Sequence, residues 1–308
     1  MSSKPLVVVI GSTGNQGLSV VKSLLATGKY RVRGLTRNVD SATSKSLIAQ
    51  GVEMVKANLN NRDEIKRAFQ GANIVFAVTN FWDPEIVGGD PTLEVRQGKL
   101  IADVAKETGV EWLFWSSLAD INAGSSGALK HVLHFDGKNQ VEQYIRKLGI
   151  PATFIYVGFY MTNFDGFFPK VTNPDGSQEI PIPFVTENTP IPLVDPPKDV
   201  GPIVAAILED REQWRGKAVP VAGERITFGE AAKIISEYSG VRTTIRTLDA
   251  ETIKDFPGLN NEEMIEMCKW FNYGYYGETE ARDISVAKKL HPGITTFRQF
   301  CAEKYGKK

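Results

Sequence analysis

Five consecutive apolar residues, Leu6-Val7-Val8-Val9-Ile10, run directly into Gly11-Ser12-Thr13-Gly14-Asn15-Gln16-Gly17. Helical spacing begins immediately afterwards, with Leu18, Val21, Leu24 and Leu25 on one face. A strand, a loop with three glycines and a helix in that order leave few folds open. Gly11 permits a tight turn, Gly14 lets the backbone approach a ligand closely, and Gly17 allows the helix to pack against the strand. Free N–H groups at the helix N-terminus then form an anion site suited to a pyrophosphate.

The same alternation continues along the first 158 residues. Strands are predicted at Leu6–Ile10, Tyr30–Thr36, Val52–Lys56, Ile74–Thr79, Trp112–Ser116 and Ala152–Val157. Several are apolar almost throughout, as parallel strands covered on both faces should be. Helical patterns lie between them, one opened by Asn61 and Glu64 as a capping box ahead of Ile65, Ala68 and Phe69 and closed by Gly71. This spacing predicts an α/β fold, a Rossmann-type doubly wound parallel sheet, with a smaller mixed α/β C-terminal lobe. Eight prolines between 169 and 197 interrupt the rhythm and exclude a long helix there. Helices are expected again at 200–209 after an Asp199 cap, at 228–239 behind a Thr227/Glu230 capping box, at 261–271 and at 297–305. The expected organisation is a dinucleotide-binding domain over 1–158, completed by about 191–222, and a substrate or partner lobe made of 159–190 and 223–308. The two are expected to share a cleft at the sheet's C-terminal edge.

Composition removes several functions. Lys+Arg and Asp+Glu are 36 each, so the balanced charge argues against direct nucleic-acid binding. No uncharged apolar run reaches the roughly 18 residues of a membrane span, and the N-terminal stretch lacks a signal-peptide pattern. Cys268 and Cys301, far apart and outside any CxxC, suggest a reducing compartment. The expected location is cytoplasmic, with the nucleus as an alternative. Nothing in the sequence specifies a metal or an oligomeric state.

The end of the second strand, Leu35-Thr36-Arg37-Asn38, bears on cofactor choice. An NAD site would carry an acidic residue there for the ribose 2′-hydroxyl. Arg37 instead presents a planar fork that suits a 2′-phosphate, so NADP(H) is expected. Asp40 is a rival partner for Arg37. Further along, Ser116-Ser117 ends the fifth strand, and His134-Phe135-Asp136-Gly137-Lys138 keeps the four-residue spacing of a Tyr-x-x-x-Lys pair with His in the tyrosine's place. His134, Lys138 and Ser117 are therefore the candidate catalytic residues. His134 equally suits packing or a structural hydrogen bond, and Lys138 a solvated surface. The C-terminal aromatics Trp270, Phe271, Tyr273, Tyr275 and Tyr276 fit a core or a substrate box.

Together with Val78-Thr79-Asn80-Phe81-Trp82, Gln97-Gly98-Lys99 and Val141-Glu142, these segments make the chain similar to the NmrA-like family, an atypical branch of the short-chain dehydrogenase/reductase superfamily. The resemblance covers most of the chain and is sharper before residue 165. It implies a Rossmann domain, NADP(H) and a variable C-terminal lobe. By position it implies that Gly11, Thr13, Gly14, Asn15, Gln16 and Gly17 surround the pyrophosphate and that Arg37 meets the 2′-phosphate. Thr79 and Asn80 would border the adenosine–nicotinamide path, and Lys138 would hold the nicotinamide ribose. Tyr160 and Asn163 are expected to face the cleft. Two functions follow from the family: a sensor of the NADPH/NADP⁺ balance that binds a regulatory protein, or an NADPH-dependent reductase of a carbonyl, imine or quinone. The missing tyrosine favours the sensor.

Overall fold

A computed structural model describes residues 4–306. In chain order its elements begin with β1 (Leu6–Ile10), α1 (Asn15–Thr27), β2 (Arg31–Thr36), α2 (Ala42–Ala49), β3 (Glu53–Lys56) and α3 (Arg62–Phe69). There follow β4 (Ile74–Ala77), α4 (Pro84–Val87), α5 (Leu93–Glu107), β5 (Trp112–Ser117), α6 (Ile121–Gly124), α7 (Leu133–Leu148) and β6 (Ala152–Val157). Then come β7 (Phe159–Tyr160), β8 (Val171–Thr172), β9 (Gln178–Pro183), β10 (Pro190–Val194), α8 (Pro196–Glu209), β11 (Ala218–Val221) and β12 (Glu224–Thr227). The chain finishes with α9 (Phe228–Ser239), β13 (Thr243–Leu248), α10 (Glu262–Phe271), α11 (Ser285–Leu290) and α12 (Phe297–Tyr305). Among the described residues two compact units result, one from residues 4–118, 137–156 and 196–219, the other from 119–136, 157–195 and 220–306.

The first unit is built on a seven-stranded sheet of order β11-β6-β5-β4-β1-β2-β3, in which β1 to β6 pair in parallel. The residue pattern of each strand follows its place. The interior strands β1, β4, β5 and β6 are buried at every residue, whereas the edge strand β3 is exposed or half-buried throughout. Strand order reverses between β1 and β4, and the crevice beyond the carboxyl ends at such a reversal is where open α/β sheets bind ligands.

Helix α1 is held by two glycine contacts. A Cβ on Gly17 would lie 2.2 Å from the Gly11 carbonyl oxygen, and one on Gly201 in α8 would lie 2.0 Å from the Ser19 carbonyl oxygen. The Gly201 N–H also donates to Ser19 Oγ at 2.9 Å. Helix α8 begins earlier than its sequence suggests: Pro196 and Pro197 occupy the first turn, where a missing N–H costs nothing, and Asp199 is a buried residue of that turn rather than its cap. Asn61 does cap α3, accepting from the Asp63 and Glu64 N–H groups. Glu64 does not complete the expected box, since its carboxylate accepts from the Asn58 N–H instead.

The second unit contains two three-stranded sheets, β12-β10-β7 and β13-β9-β8. Prolines 181 and 183 fit inside β9 for a geometric reason. The N–H groups of Gln178 and Phe184 donate to Arg242 and Leu248, so even-numbered residues face β13. The two prolines face the other edge, where β8 pairs only with Gln178 and Glu179. An aromatic core of Phe159, Phe164, Phe168, Phe228, Phe271 and Phe297 fills this unit. The capping box at Thr227 and Glu230 forms as expected, and Thr296 with Gln299 makes another at α12.

The two loop glycines are predicted to respond unequally to alanine. Gly17→Ala drives a methyl group into backbone and should lower unfolding free energy by about 1–3 kcal/mol, the usual cost of overpacking. Gly14→Ala meets nothing nearer than 3.4 Å and should stay within roughly 0.5 kcal/mol of the parent. Urea denaturation of the three proteins decides it, and equal midpoints would contradict the packing described.

Candidate functional site

The loop after β1 is shaped by a backbone turn and one side-chain tie. Gly11 has φ +68°, in the left-handed region, and the Gly14 N–H closes the turn on the Gly11 carbonyl at 2.9 Å. Ser12 Oγ donates to the Leu35 carbonyl at 2.9 Å, tying the loop to β2. The positive φ lies at Gly11; Gly14 is extended at φ −96°. Among the described residues no atom explains why residue 14 lacks a side chain, because a Cβ there would be in ordinary contact with Gly11 O and nothing closer. The glycine instead leaves the α1 N-terminus open. Its first turn has no side-chain cap and no acidic residue, so N–H groups and helix dipole are available to an anion. Thr13 is half-buried, Asn15 exposed and Gln16 buried beside this opening. These residues fit the pyrophosphate of a dinucleotide.

Arg37 follows β2 with its side chain 75% exposed, and its Nη1 lies 2.5 Å from Asp83 Oδ2. The rival carboxylate is therefore Asp83 rather than Asp40. Asp83 also caps α4, accepting from the Glu85 N–H at 3.2 Å.

Lys138 is a buried residue, not a solvated one. Its Nζ donates to Glu94 Oε1 at 2.6 Å, to Thr79 Oγ1 at 3.1 Å and to the Thr79 carbonyl at 3.1 Å. Thr79 Oγ1 donates in turn to Glu94 Oε1 at 2.8 Å. An ammonium group has three N–H donors, and here all three are engaged by the protein. Glu94, in the first turn of α5, is 1% exposed, and its Oε2 has no hydrogen-bond partner among the described residues. Neither Glu94 nor Asp83 was singled out by sequence. Asn80, after β4, is exposed.

Ser117 is fully buried, in the same polar pocket of the interior as Tyr156 and Glu142. Asn139 Nδ2 donates to the Tyr156 hydroxyl at 3.3 Å. Burial, reinforced by the Glu142 carboxylate, pushes the Tyr156 hydroxyl far above its usual value and keeps it protonated. Glu142 Oε1 accepts from Arg146 at 2.8 and 3.0 Å.

In the second unit, Glu263 and Glu266 of α10 serve the chain entering α7. Glu263 Oε2 accepts from the Leu133 N–H at 2.8 Å and its Oε1 contacts His134 Nδ1. Glu266 accepts from the His131 N–H and meets His131 Nδ1 at 2.8 Å. Carboxylates are favoured at a helix N-terminus, so both glutamates add to Asp136, the acidic residue of α7's own first turn. Tyr160 and Asn163 are half-buried in this unit. Of the five C-terminal aromatics, Trp270, Phe271, Tyr275 and Tyr276 are core, while Tyr273 is 49% exposed. Among the described residues no group of three or more His, Cys, Asp or Glu side chains is arranged to hold a metal, and no helix is long and apolar enough to cross a membrane.

The hydrogen bond to Glu266 raises the His131 pKa, assisted by Glu262 and opposed by solvent loss and by Lys130. A raised folded value means that this contact's contribution is complete below about pH 6.5 and fades as pH rises through the folded pKa. An NMR titration should place His131 above about 6.5, and Glu266→Gln should return it towards that reference value. An unshifted His131 in the parent protein would refute the pairing.

Comparison with known proteins agrees with this architecture. Residues 3–301 match the model of the NmrA-like family. An NmrA-like family domain-containing oxidoreductase of Aspergillus campestris is 33% identical over 252 residues, covering 78% of this chain and 74% of the relative. A similarly described oxidoreductase of Penicillium ochrochloron is 30% identical over 309 residues, covering 94% and 90%. Among solved structures, the negative transcriptional regulator NmrA superposes with a TM-score of 0.82 at 25% identity, covering 98% of this chain and 96% of that one. Its complex with NADP superposes at 0.81 with 23% identity, covering 99% and 96%. With its NAD(P)-binding fold, the chain belongs to the NmrA-like family.

Proposed function

We propose that this protein binds NADP(H) and acts as a sensor of the NADPH/NADP⁺ balance, answering through conformation or a regulatory protein partner. The observation that carries this reading is the state of Lys138. An amine positioned for reductase chemistry would have a donor directed at its cofactor, and here all three are engaged by Glu94 and Thr79. Histidine stands in the tyrosine's place, and the buried Tyr156 hydroxyl is held protonated. The likeness to a negative transcriptional regulator is in keeping with such a role.

In this reading Gly11, Thr13, Gly14, Asn15, Gln16 and Gly17 would cradle the pyrophosphate, and Arg37 would pair with the 2′-phosphate. Thr79 and Asn80 would border the path to the nicotinamide, with Lys138 next to its ribose. Bound NADPH supplies a hydride and NADP⁺ accepts one; the two differ by a positive charge on the ring. A buried ionic pair such as Glu94–Lys138 is sensitive to a nearby charge of that kind, and only differential affinity for two arrangements moves an equilibrium. The second reading is an NADPH-dependent reductase of a carbonyl, imine or quinone, with Lys138, His134 and Ser117 as candidate catalytic residues. The relatives described as oxidoreductases favour it. The expected location under either reading is the cytoplasm, with the nucleus as an alternative for a regulator.

Arg37→Ala should weaken NADPH and NADP⁺ roughly ten- to hundredfold, the loss of one charged hydrogen bond, and leave NADH and NAD⁺ nearly unchanged. Equal weakening of all four cofactors in calorimetric titration would remove the 2′-phosphate assignment.

A sensor should turn over panels of carbonyls, imines and quinones no faster than buffer. The oxidised and reduced cofactors should nevertheless give different proteolysis patterns across 82–91 or 169–197. Turnover on the order of 1 per second, lowered about 10²–10⁴-fold by Lys138→Ala, would replace the sensor with the reductase.

A further inference from the structure

We propose that Asp83 is a built-in competitor for the 2′-phosphate, a latch that the phosphorylated cofactor must displace from Arg37. The proposal rests on the NADP(H) reading above and extends it to the segment after β4. Strands β2 and β4 flank β1 on either side in the sheet. Arg37 follows β2 and Asp83 follows β4, so their ion pair links the two chain ends that border the phosphate loop. The guanidinium is 75% exposed while the carboxylate is only 16% exposed. The fixed member is thus Asp83, and the accessible member is the one a ligand would recruit.

Asp83 is fixed by its own segment. Its Oδ1 accepts from the Glu85 N–H, its N–H donates to the Asn80 carbonyl at 3.2 Å, and its carbonyl accepts from Ile86 and Val87 at 2.8 and 3.0 Å. Only Oδ2 reaches Arg37, through a single nitrogen. A ribose 2′-phosphate carries more charge than a carboxylate and offers three oxygens to a planar fork, so it is the stronger partner. Binding it exchanges one charged partner for another and releases the 81–91 segment from β2. That segment bears Trp82, 45% exposed, and Val87, 56% exposed. A cofactor with a 2′-hydroxyl gives Arg37 no reason to leave Asp83. The residue therefore has two effects: it lowers affinity for phosphorylated cofactors, and it makes 81–91 report the 2′-phosphate.

Asp83→Asn separates these effects from folding, because asparagine caps a helix as well as aspartate does. The probes are adenosine 2′,5′-bisphosphate against 5′-AMP, and NADP⁺ against NAD⁺, titrated into the full chain. Asp83→Asn should tighten the 2′-phosphorylated member of each pair roughly three- to tenfold, the scale of an exposed ion pair plus relieved repulsion, and leave the other member unchanged. The gain should shrink as salt is raised. Hydrogen exchange supplies a readout that needs no affinity. NADP⁺, unlike NAD⁺, should speed exchange across 81–91 in the parent protein, whereas ligand-free Asp83→Asn should already show the faster level. If Asp83→Asn leaves both pairs unchanged while Arg37→Ala still weakens the phosphorylated members selectively, the latch is wrong and the NADP(H) assignment stands. If Arg37→Ala weakens all ligands alike, both fail.

Discussion

The close approach of α1 to the turn that precedes it governs the first unit. With Gly17 against the Gly11 carbonyl and Gly201 against the Ser19 carbonyl, two backbones press on α1 where side chains would normally separate them. This fixes the direction of the helix relative to β1, and hence the aim of its unpaired N–H groups. Close packing at these points cannot be loosened gradually, because the opposing atoms are carbonyl oxygens rather than flexible side-chain ends. Packing at Gly17 thus aims the helix, while the glycine at 14, which no packing contact requires, leaves its N-terminus uncapped.

A buried ion pair is a poor means of gaining stability, since desolvating both charges offsets most of their attraction. Glu94–Lys138 is nevertheless retained, with Thr79 bridging the two and one carboxylate oxygen unpartnered among the described residues. An apolar pair of similar volume would pack there more cheaply. The arrangement makes physical sense where a charge must be kept ready in a dry environment, because removing either partner strands the other at a cost of about 3–5 kcal/mol. Gly98 serves the same region differently: a Cβ would lie 2.5 Å from Val141 and 2.9 Å from Trp115, so its absence lets α5 carry Glu94 close to α7.

Much of the fold was legible because its signals are local. The runs at Leu6–Ile10 and Ala152–Val157 are short, β-branched or aromatic and apolar at nearly every position, which suits a strand covered on both faces. Thr227 with Glu230 named a helix start because both halves of that device lie three residues apart. Asp199 misled for the same local reason: it has the chemistry of a cap, but Pro196 and Pro197 can begin a helix as well, and burial of the turn decided between them. Glu64 had a second donor within reach, the Asn58 N–H, which the spacing rule does not count. The glycine roles at 11 and 17 were readable, whereas the extended, uncapped backbone at Gly14 required coordinates.

The site was half legible, and the missing half has one character. Arg37, Lys138 and His134 each carry chemistry recognisable from a short stretch of sequence. Each meets a carboxylate that is remote in the chain: Asp83 lies 46 residues away, Glu94 44 residues away and Glu263 129 residues away. A motif identifies the cation; only the topology brings its counter-ion. Each of these cations therefore already has a carboxylate partner, and an anionic ligand addressing Arg37 would gain only the difference between itself and Asp83. Under the latch proposed above, such an exchange at Arg37 would move Asp83 and the segment that bears it at little net cost, whereas displacing the buried Glu94 from Lys138 would strand a charge at about 3–5 kcal/mol. Two arrangements of similar energy, distinguished by which anion holds the cation, are the physical requirement for a ligand-controlled conformational equilibrium.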